Sequence, residues 1–424
     1  MLETMWTRTG TLPITVRTSD AQRREPGTVY FTTRPGGGAG PRTTVGWLIG
    51  VGPDGDIVLE RRFDGTSQDV RCLPSGKILF SQSMQGIIYE VNPDGSIHAG
   101  WHSRDKWIDK QPPLRSIELP VNHTHHTVNV MPNGNFLILD AEERQFDDWP
   151  SDSTDRAAPR RKAAVVGDVV KEVTRDGHLV RAYHIFDLVD PHRITHGSFD
   201  NYWHHLGFPG TNDWSHANAV AYDPNDDGIV VSLRHQDCIV KFGRQDGRLR
   251  WILGNPSEWR DPWRQYLLKP EGALRWQFHQ HDCSVTGPGR ILCFDNGNFR
   301  AGAFETPLDP AENFSRAVEF EIDEKNRTVR QIWQYGEERK PALFGCYQGG
   351  ARRLPKTGNT LITFGGLCFD KAGKPAGTHV GMRGAARILE VTSKGEVVLD
   401  IEVDDRAAAE PRAFSAFRAD HMPA

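Results

Sequence analysis

The chain lacks a strong charge of either sign. Lysine and arginine number 51, aspartate and glutamate 55, a formal net charge of −4 over 424 residues. Sequence-independent nucleic-acid binders carry a basic excess, so no nucleic-acid partner is expected. No run of about 18 apolar residues occurs, which leaves no candidate membrane-spanning helix and no membrane partner. The opening MLETMWTRTGTLPITVRTSDAQRREPG lacks the apolar core of a signal peptide. The expectation is a cytoplasmic protein, or an exported one whose leader has been removed. Cysteine is sparse. Cys72, Cys238, Cys283, Cys293, Cys346 and Cys368 are scattered without a CxxC pair. That spacing fits neither a zinc knuckle nor a dense disulfide scaffold, and partly buried thiols are expected.

Glycine is what the chain has in excess, 42 residues, together with 27 prolines. Without a G-X-Y period, such numbers mean many tight turns, which suits an all-β protein of short strands. A hydrophobic fraction of 38% is enough to bury a core.

A repeat is visible by eye. LPSGKILF with GIIYEVNPDGSI (73–80, 86–97) is followed by MPNGNFLIL with GDVVKEVTRDGHLV (131–139, 167–180). DPNDDGIVVSLRH with CIVKFGRQDGRLRWILG (223–235, 238–254) and GPGRILCFDNG with RAVEFEIDEKNRTVRQIWQYG (287–297, 316–336) come next. LPKTGNTLITF with ARILEVTSKGEVVLDIEV (354–364, 386–403) is the last copy, and VYFTTRPGG with GWLIGVGPDGDIVLERR (29–37, 46–62) is a partial first one. PDG, PDG, RDG, QDG, KNR and SKG fill one turn slot. Asp-Gly and its relatives supply the positive φ that a two-residue hairpin needs. Each unit therefore reads as about four antiparallel strands, and six units predict a six-bladed β-propeller. The expected organisation is an N-terminal tail (1–26), a single propeller domain (27–403) and a C-terminal tail (404–424). The surplus length lies in stretches expected to be irregular: 103–122, 141–163, 184–213, 255–276, 301–314 and 371–385. Long loops of this kind are usually lids or binding loops.

Histidines gather at the starts of repeats. His123, His125 and His126 lie in NHTHHTVNVMPNGN, His216 in DWSHANAVAYD ahead of Arg234 and His235, and His279 and His281 in FHQHDC. In a propeller the first strand of each blade lines the channel. Equivalent positions at successive blade starts then converge, so His126, His216, His281, Arg234 and Asn218 are expected to meet. Asn218, two residues after His216 on a strand, faces the same side. Imidazoles with Arg and Asn suit an anionic, oxygen-rich group such as sulfate or phosphate. One histidine can act as nucleophile and another as acid or base. No compact carboxylate cluster accompanies them, which makes magnesium-dependent phosphoryl transfer less natural. Two other readings stay open: a lyase or oxygenase whose axial histidines hold a metal, and a non-catalytic scaffold. Trp203, Trp214 and Trp259 are candidate walls for a ring substrate, with core packing as the alternative for each.

The motifs HHTVNVMPNGNFLIL, DWSHANAVAYDPNDDGIVVSLRHQDCIVKFGRQDGRLRWILG, QHDCSVTGPGRILCFDNGN and SRAVEFEID make the chain resemble the bacterial arylsulfate sulfotransferases. The resemblance is best from about residue 120 to 335, and the second motif is the most specific. It implies a six-bladed propeller and transfer of a sulfuryl group from an aryl sulfate to a phenol, in ping-pong fashion through a sulfohistidine. Carried over, His281 matches the nucleophile and His126 the residue that handles the phenol proton. His216, Asn218 and Arg234 match the groups that hold the sulfuryl oxygens. The mechanism implied needs no metal and no organic cofactor. His279 beside His281, and His125 beside His126, remain alternatives or additional substrate contacts, as does Trp214. A homodimer is compatible with the sequence, which does not set the oligomeric state.

Overall fold

The computed structural model of the protein describes residues 12–36, 45–105, 112–113 and 115–424. Each repeat folds into a sheet whose main strands are antiparallel, and six sheets are present among the described residues; two of them add a short parallel strand, Asn212–Asp213 and Lys269–Pro270. The simplest runs Ala217–Asp223, Gly228–Leu233, Cys238–Gly243 and Leu249–Gly254, in chain order across the sheet. The strand Gly228–Leu233 is buried along its whole length, which is why GIVVSL shows no polar alternation. The strand Ile57–Asp64, with one face to solvent, does alternate. The shared turn slot behaves as its sequence requires. Gly95 and Gly177 take φ of 80° and 90°, and in the KNR copy Arg327 takes the same left-handed conformation at 55°. The all-β class is borne out, and the repeating unit is the up-and-down sheet of a propeller blade.

The chain groups into two compact units. One is built on residues up to His102 and from Leu343 to Ala424, the other on Ile117–Ala342. In the first unit the stretches read as tails are strands. Ile14–Ser19 pairs with Val397–Asp404, and Ser415–Pro423 pairs with Gly27–Arg34. The last strand of the chain thus completes the sheet of the partial first repeat, and that sheet runs Ser415–Pro423, Gly27–Arg34, Val45–Val51, Ile57–Asp64. A buried ion pair between Arg418 and Asp69, 2.6 Å apart, holds this strand in the interior of its unit.

The second unit holds three sheets. They begin at His125–Val130, Ala217–Asp223 and His281–Gly287. Its core is continuous through Leu139, Val170, Trp214, Val231, Val240 and their neighbours. The segment 141–163, expected to be irregular, is instead mostly a ribbon. Phe136–Trp149 and Arg161–Val173 stay paired from Phe136↔Val173 out to Trp149↔Arg161. The segment 184–213 contains only a helical turn, Ile185–Leu188, a 3-10 turn, Tyr202–His205, and a short strand, Asn212–Asp213. No disulfide joins any of the six cysteines, and five of them are buried. Among the described residues no helix is long and apolar enough to cross a membrane.

Candidate active site

The first strands of the second unit's three sheets pack side by side, His125–Val130 against Ala217–Asp223 and Ala217–Asp223 against His281–Gly287. Each has a register break at its start: between His125 and Val128, between Ala217 and Ala219, and between His281 and Ser284. A non-glycine residue in left-handed backbone accompanies each break, His126 at φ 55°, His216 at 44° and Asp282 at 60°. Such a residue costs about 1–3 kcal/mol and persists where the surroundings enforce it; a bulge re-aims a side chain. The result is convergence. The His126 ring lies 4.8 Å from that of His216 and 6.3 Å from that of His281. All three rings are nearly buried, at 5%, 8% and 3% exposure.

The three rings have different partners. His281 Nδ1 lies 2.8 Å from the amide oxygen of Asn296. An amide oxygen only accepts, so Nδ1 carries the hydrogen and Nε2 is left as a bare nucleophilic nitrogen. His216 Nδ1 makes a short contact with Asp213 Oδ2. Burial, and then the negative charges of Asp200 and Asp168, hold the Asp213 carboxyl well above its usual range. Burial, and then competition for positive charge with His235, His126, Arg234 and His281, push His216 well below its ordinary value. Both members thus favour their neutral forms. A neutral acid donates to Nδ1 and leaves the proton of His216 on Nε2, where it is a donor. His126 Nδ1 faces His125 Nδ1 at 2.9 Å.

Arg234 supplies the fixed positive charge. It follows the strand Gly228–Leu233, and Ala217↔Leu233 pairing sets it opposite His216, whose carbonyl accepts its backbone N–H at 3.2 Å. One guanidinium nitrogen, Nη1, donates to His235 Nε2. His235 can accept because its Nδ1 donates to the Asp213 carbonyl at 2.8 Å. Burial, then the charge of Arg234, keeps His235 well below its usual pKa and therefore neutral. Tyr202 completes the cluster, its ring 4.9 Å from His216 and 5.7 Å from His126. Tyr202 and Arg234 are the half-buried members.

Other residues expected at the site have different surroundings. Asn218 is fully buried and ties two strands together: Nδ2 donates to the Gln280 carbonyl at 2.7 Å, and Oδ1 accepts from Asp282 N–H. His279 precedes the strand that His281 begins, yet its Nδ1 binds Asp237 at 2.8 Å and its ring neighbours are His235 and Phe299. His125 lies behind His126 with no exposed surface. Trp214, expected as a wall for substrate, is instead a core residue. It stacks on Phe186 at 4.7 Å, donates to the Arg193 carbonyl and exposes nothing. Trp259 is buried against the Arg193 guanidinium, and Trp203 is buried with its N–H on Asp213 Oδ1 at 2.9 Å.

Sequence reading missed the groups that hold the histidines. No compact carboxylate cluster was expected, and that expectation did not anticipate the two carboxylates, Asp168 and Asp213, that lie buried beside the histidines. Asp213 stands three residues before His216, a spacing that signals a local Asp–His contact. Asp168 reaches His125 from the third strand of its sheet, and Tyr202 comes from a loop; neither has a short-range signature.

Asp213, His216 and His235 offer ligand atoms within 4.8 Å of one another, the one such grouping among the described residues. Their hydrogen bonds argue against a cation there. His235 already accepts from a guanidinium, and Asp213 already engages His216 and the Trp203 N–H. A divalent ion would sit against Arg234 and displace those bonds.

The profile of the arylsulfotransferase (ASST) family matches residues 68–413. Arylsulfate sulfotransferase AssT of Escherichia coli O6:H1 is 34% identical over 215 residues, which is 46% of this chain and 33% of that protein. The AssT of Lelliottia amnigena is 38% identical over 151 residues, 32% of this chain and 25% of its own. The matched segments therefore span a third or less of these relatives. Among solved structures, a putative 6-phosphogluconolactonase from Bacteroides fragilis is 11% identical with a TM-score of 0.40, covering 92% of this chain and 83% of its own. A β-propeller domain of Cps50 (Swd1) from Myceliophteria thermophila is 10% identical with a TM-score of 0.36, covering 95% and 99%.

Proposed function

The chain belongs to the arylsulfotransferase family, and from that premise we propose that it moves a sulfuryl group from an aryl sulfate to a phenol through a sulfohistidine on His281. One observation carries the reading: three histidines, held by three different partners, meet beside one anchored arginine. The bare Nε2 of His281 attacks sulfur, forming an N–S bond as the S–O bond to the aryl group breaks. The Nε2–H of His216 and the Arg234 guanidinium are donors for the sulfuryl oxygens as charge shifts onto the leaving oxygen. His126 gives that oxygen a proton and takes one from the incoming phenol. The half-buried Tyr202 ring offers a face to an aryl group.

The test is incubation with 4-nitrophenyl sulfate and a phenol. Nitrophenol release that depends on His281 supports the reading. Labelled 4-nitrophenol should exchange into 4-nitrophenyl sulfate with no other acceptor present, as a ping-pong route requires. No release, or His281→Ala equal to wild type, contradicts it. The metal-dependent alternative requires a stoichiometric transition metal, and elemental analysis of the purified protein is expected to find none.

A further inference from the structure

We propose that Asp168 and His125 form a proton relay behind His126, storing in the protein interior the proton that His126 exchanges with the aryl oxygen. The proposal rests on the sulfuryl-transfer reading above.

His125 has no exposed surface. Its Nε2 lies 3.3 Å from the Asp140 carbonyl oxygen and 3.2 Å from Asp168 Oδ1. A carbonyl only accepts, so Nε2 carries a hydrogen in both states of the ring. Its other nitrogen, Nδ1, faces His126 Nδ1 at 2.9 Å. Two nitrogens at that distance hold one hydrogen between them. The pair therefore has two states. In one, His125 is neutral, His126 Nδ1 donates to it, and His126 Nε2 is a bare base. In the other, His125 is an imidazolium that donates from Nδ1, and His126 is neutral with its hydrogen on Nε2.

These are the two states the reaction needs. When a phenolate leaves, His126 Nε2 gives it a proton and His126 Nδ1 recovers the shared one from His125, which becomes neutral. When an acceptor phenol enters, Nε2 takes its proton, and the Nδ1 proton moves to His125. The S–O bond then forms as the bond from sulfur to His281 breaks. No proton is lost over the cycle. The interior charge is offset at one point. Asp168 Oδ1 faces His125, while its other oxygen accepts the Ala217 N–H at 2.6 Å and the Ser215 hydroxyl. The Trp203 ring meets the His125 ring edge-on at 5.0 Å, and both are buried. His125 and Asp168 are positioning residues here, acting on the substrate only through His126.

Donor aryl sulfates whose phenols span a range of acidity separate this role from a merely structural one. In Asp168→Asn and His125→Phe, the rate loss is expected to grow as the leaving phenol becomes less acidic. The loss should be within about threefold for 4-nitrophenyl sulfate and on the order of 10²-fold for phenyl sulfate. A loss equal across the series overturns the relay and leaves the sulfuryl-transfer reading standing. Asp168→Asn is near-isosteric and carries the test if His125→Phe does not fold. A second measurement needs no turnover. Histidine-selective ¹⁵N spectra of the resting wild-type protein are expected to show charged His125 beside His126 protonated on Nε2, the state that holds the proton before the first phenolate leaves. Both rings neutral, with His126 protonated on either nitrogen, overturns the relay. If wild type transfers from no aryl sulfate, the reading itself fails, and the spectra alone decide the relay.

Discussion

Asp213 lies against His216, and that contact decides which nitrogen of the imidazole offers a proton to a bound anion. Removing that donor by His216→Ala should lower kcat by about 10²–10³-fold, the usual effect of losing one preorganised donor to a developing oxyanion. Stopped-flow measurement of nitrophenol release checks it. His279 tests a different property. Burial holds it below the ordinary histidine value, against the opposing pull of Asp237. The unfolded chain takes up this proton below about pH 6.5 and the folded one resists it. The contribution to stability is therefore complete above that pH and is lost as the pH falls. His279→Gln should flatten the fall in stability between pH 6.5 and 5 by at most about 1.4 kcal/mol per pH unit, read from urea unfolding at each pH. At this scale sequence phase found His126, His216 and His281, because equal positions in a repeat become equal positions in space. It could not find Asp168 or Tyr202, whose contacts depend on strand register and loop path. It also misplaced Trp214, since nothing local separates a pocket tryptophan from a core one.

The recurring element is the broken start of each first strand in the second unit. A register break with a left-handed residue appears in all three sheets, and it turns the histidines toward one another. The loop that crosses this region is fitted to them. A Cβ on Gly197 would lie 2.5 Å from His279 Nε2 and 2.5 Å from His235 Cδ2. Neither ring can yield easily, because Asp237 holds one and the Asp213 carbonyl the other. Gly197→Ala should therefore move His235, and through it Arg234. The expected loss in kcat is on the order of 10²-fold, with the melting temperature changed far less than the rate. Steady-state kinetics beside calorimetry of the same variant gives the comparison. Hairpin turns were legible because their chemistry is local. The strands Ile14–Ser19 and Ser415–Pro423 were not, because their partners lie at the far end of the chain and nothing in either segment names them.

For the whole molecule, a net charge of −4 and an excess of glycine describe the chain correctly and conceal its chemistry. The glycines of the shared turn slot, Gly55, Gly95, Gly177, Gly247 and Gly395, take positive φ in their turns. The near-neutral sum hides an arginine and a group of histidines collected in one unit, Ile117–Ala342. Within that unit His281 is proposed to carry the transferred group, because the Asn296 amide oxygen holds its Nδ1 hydrogen and leaves Nε2 as the nucleophilic nitrogen, whereas the Nε2 of His235 accepts from Arg234. The direct test is rapid denaturation during turnover of 4-nitrophenyl sulfate without acceptor, followed by peptide mapping under conditions that preserve an N–S bond. The expected result is a sulfuryl adduct on His281 that disappears when a phenol is added. An adduct on His279 or His126, or steady transfer with no protein adduct, would contradict it.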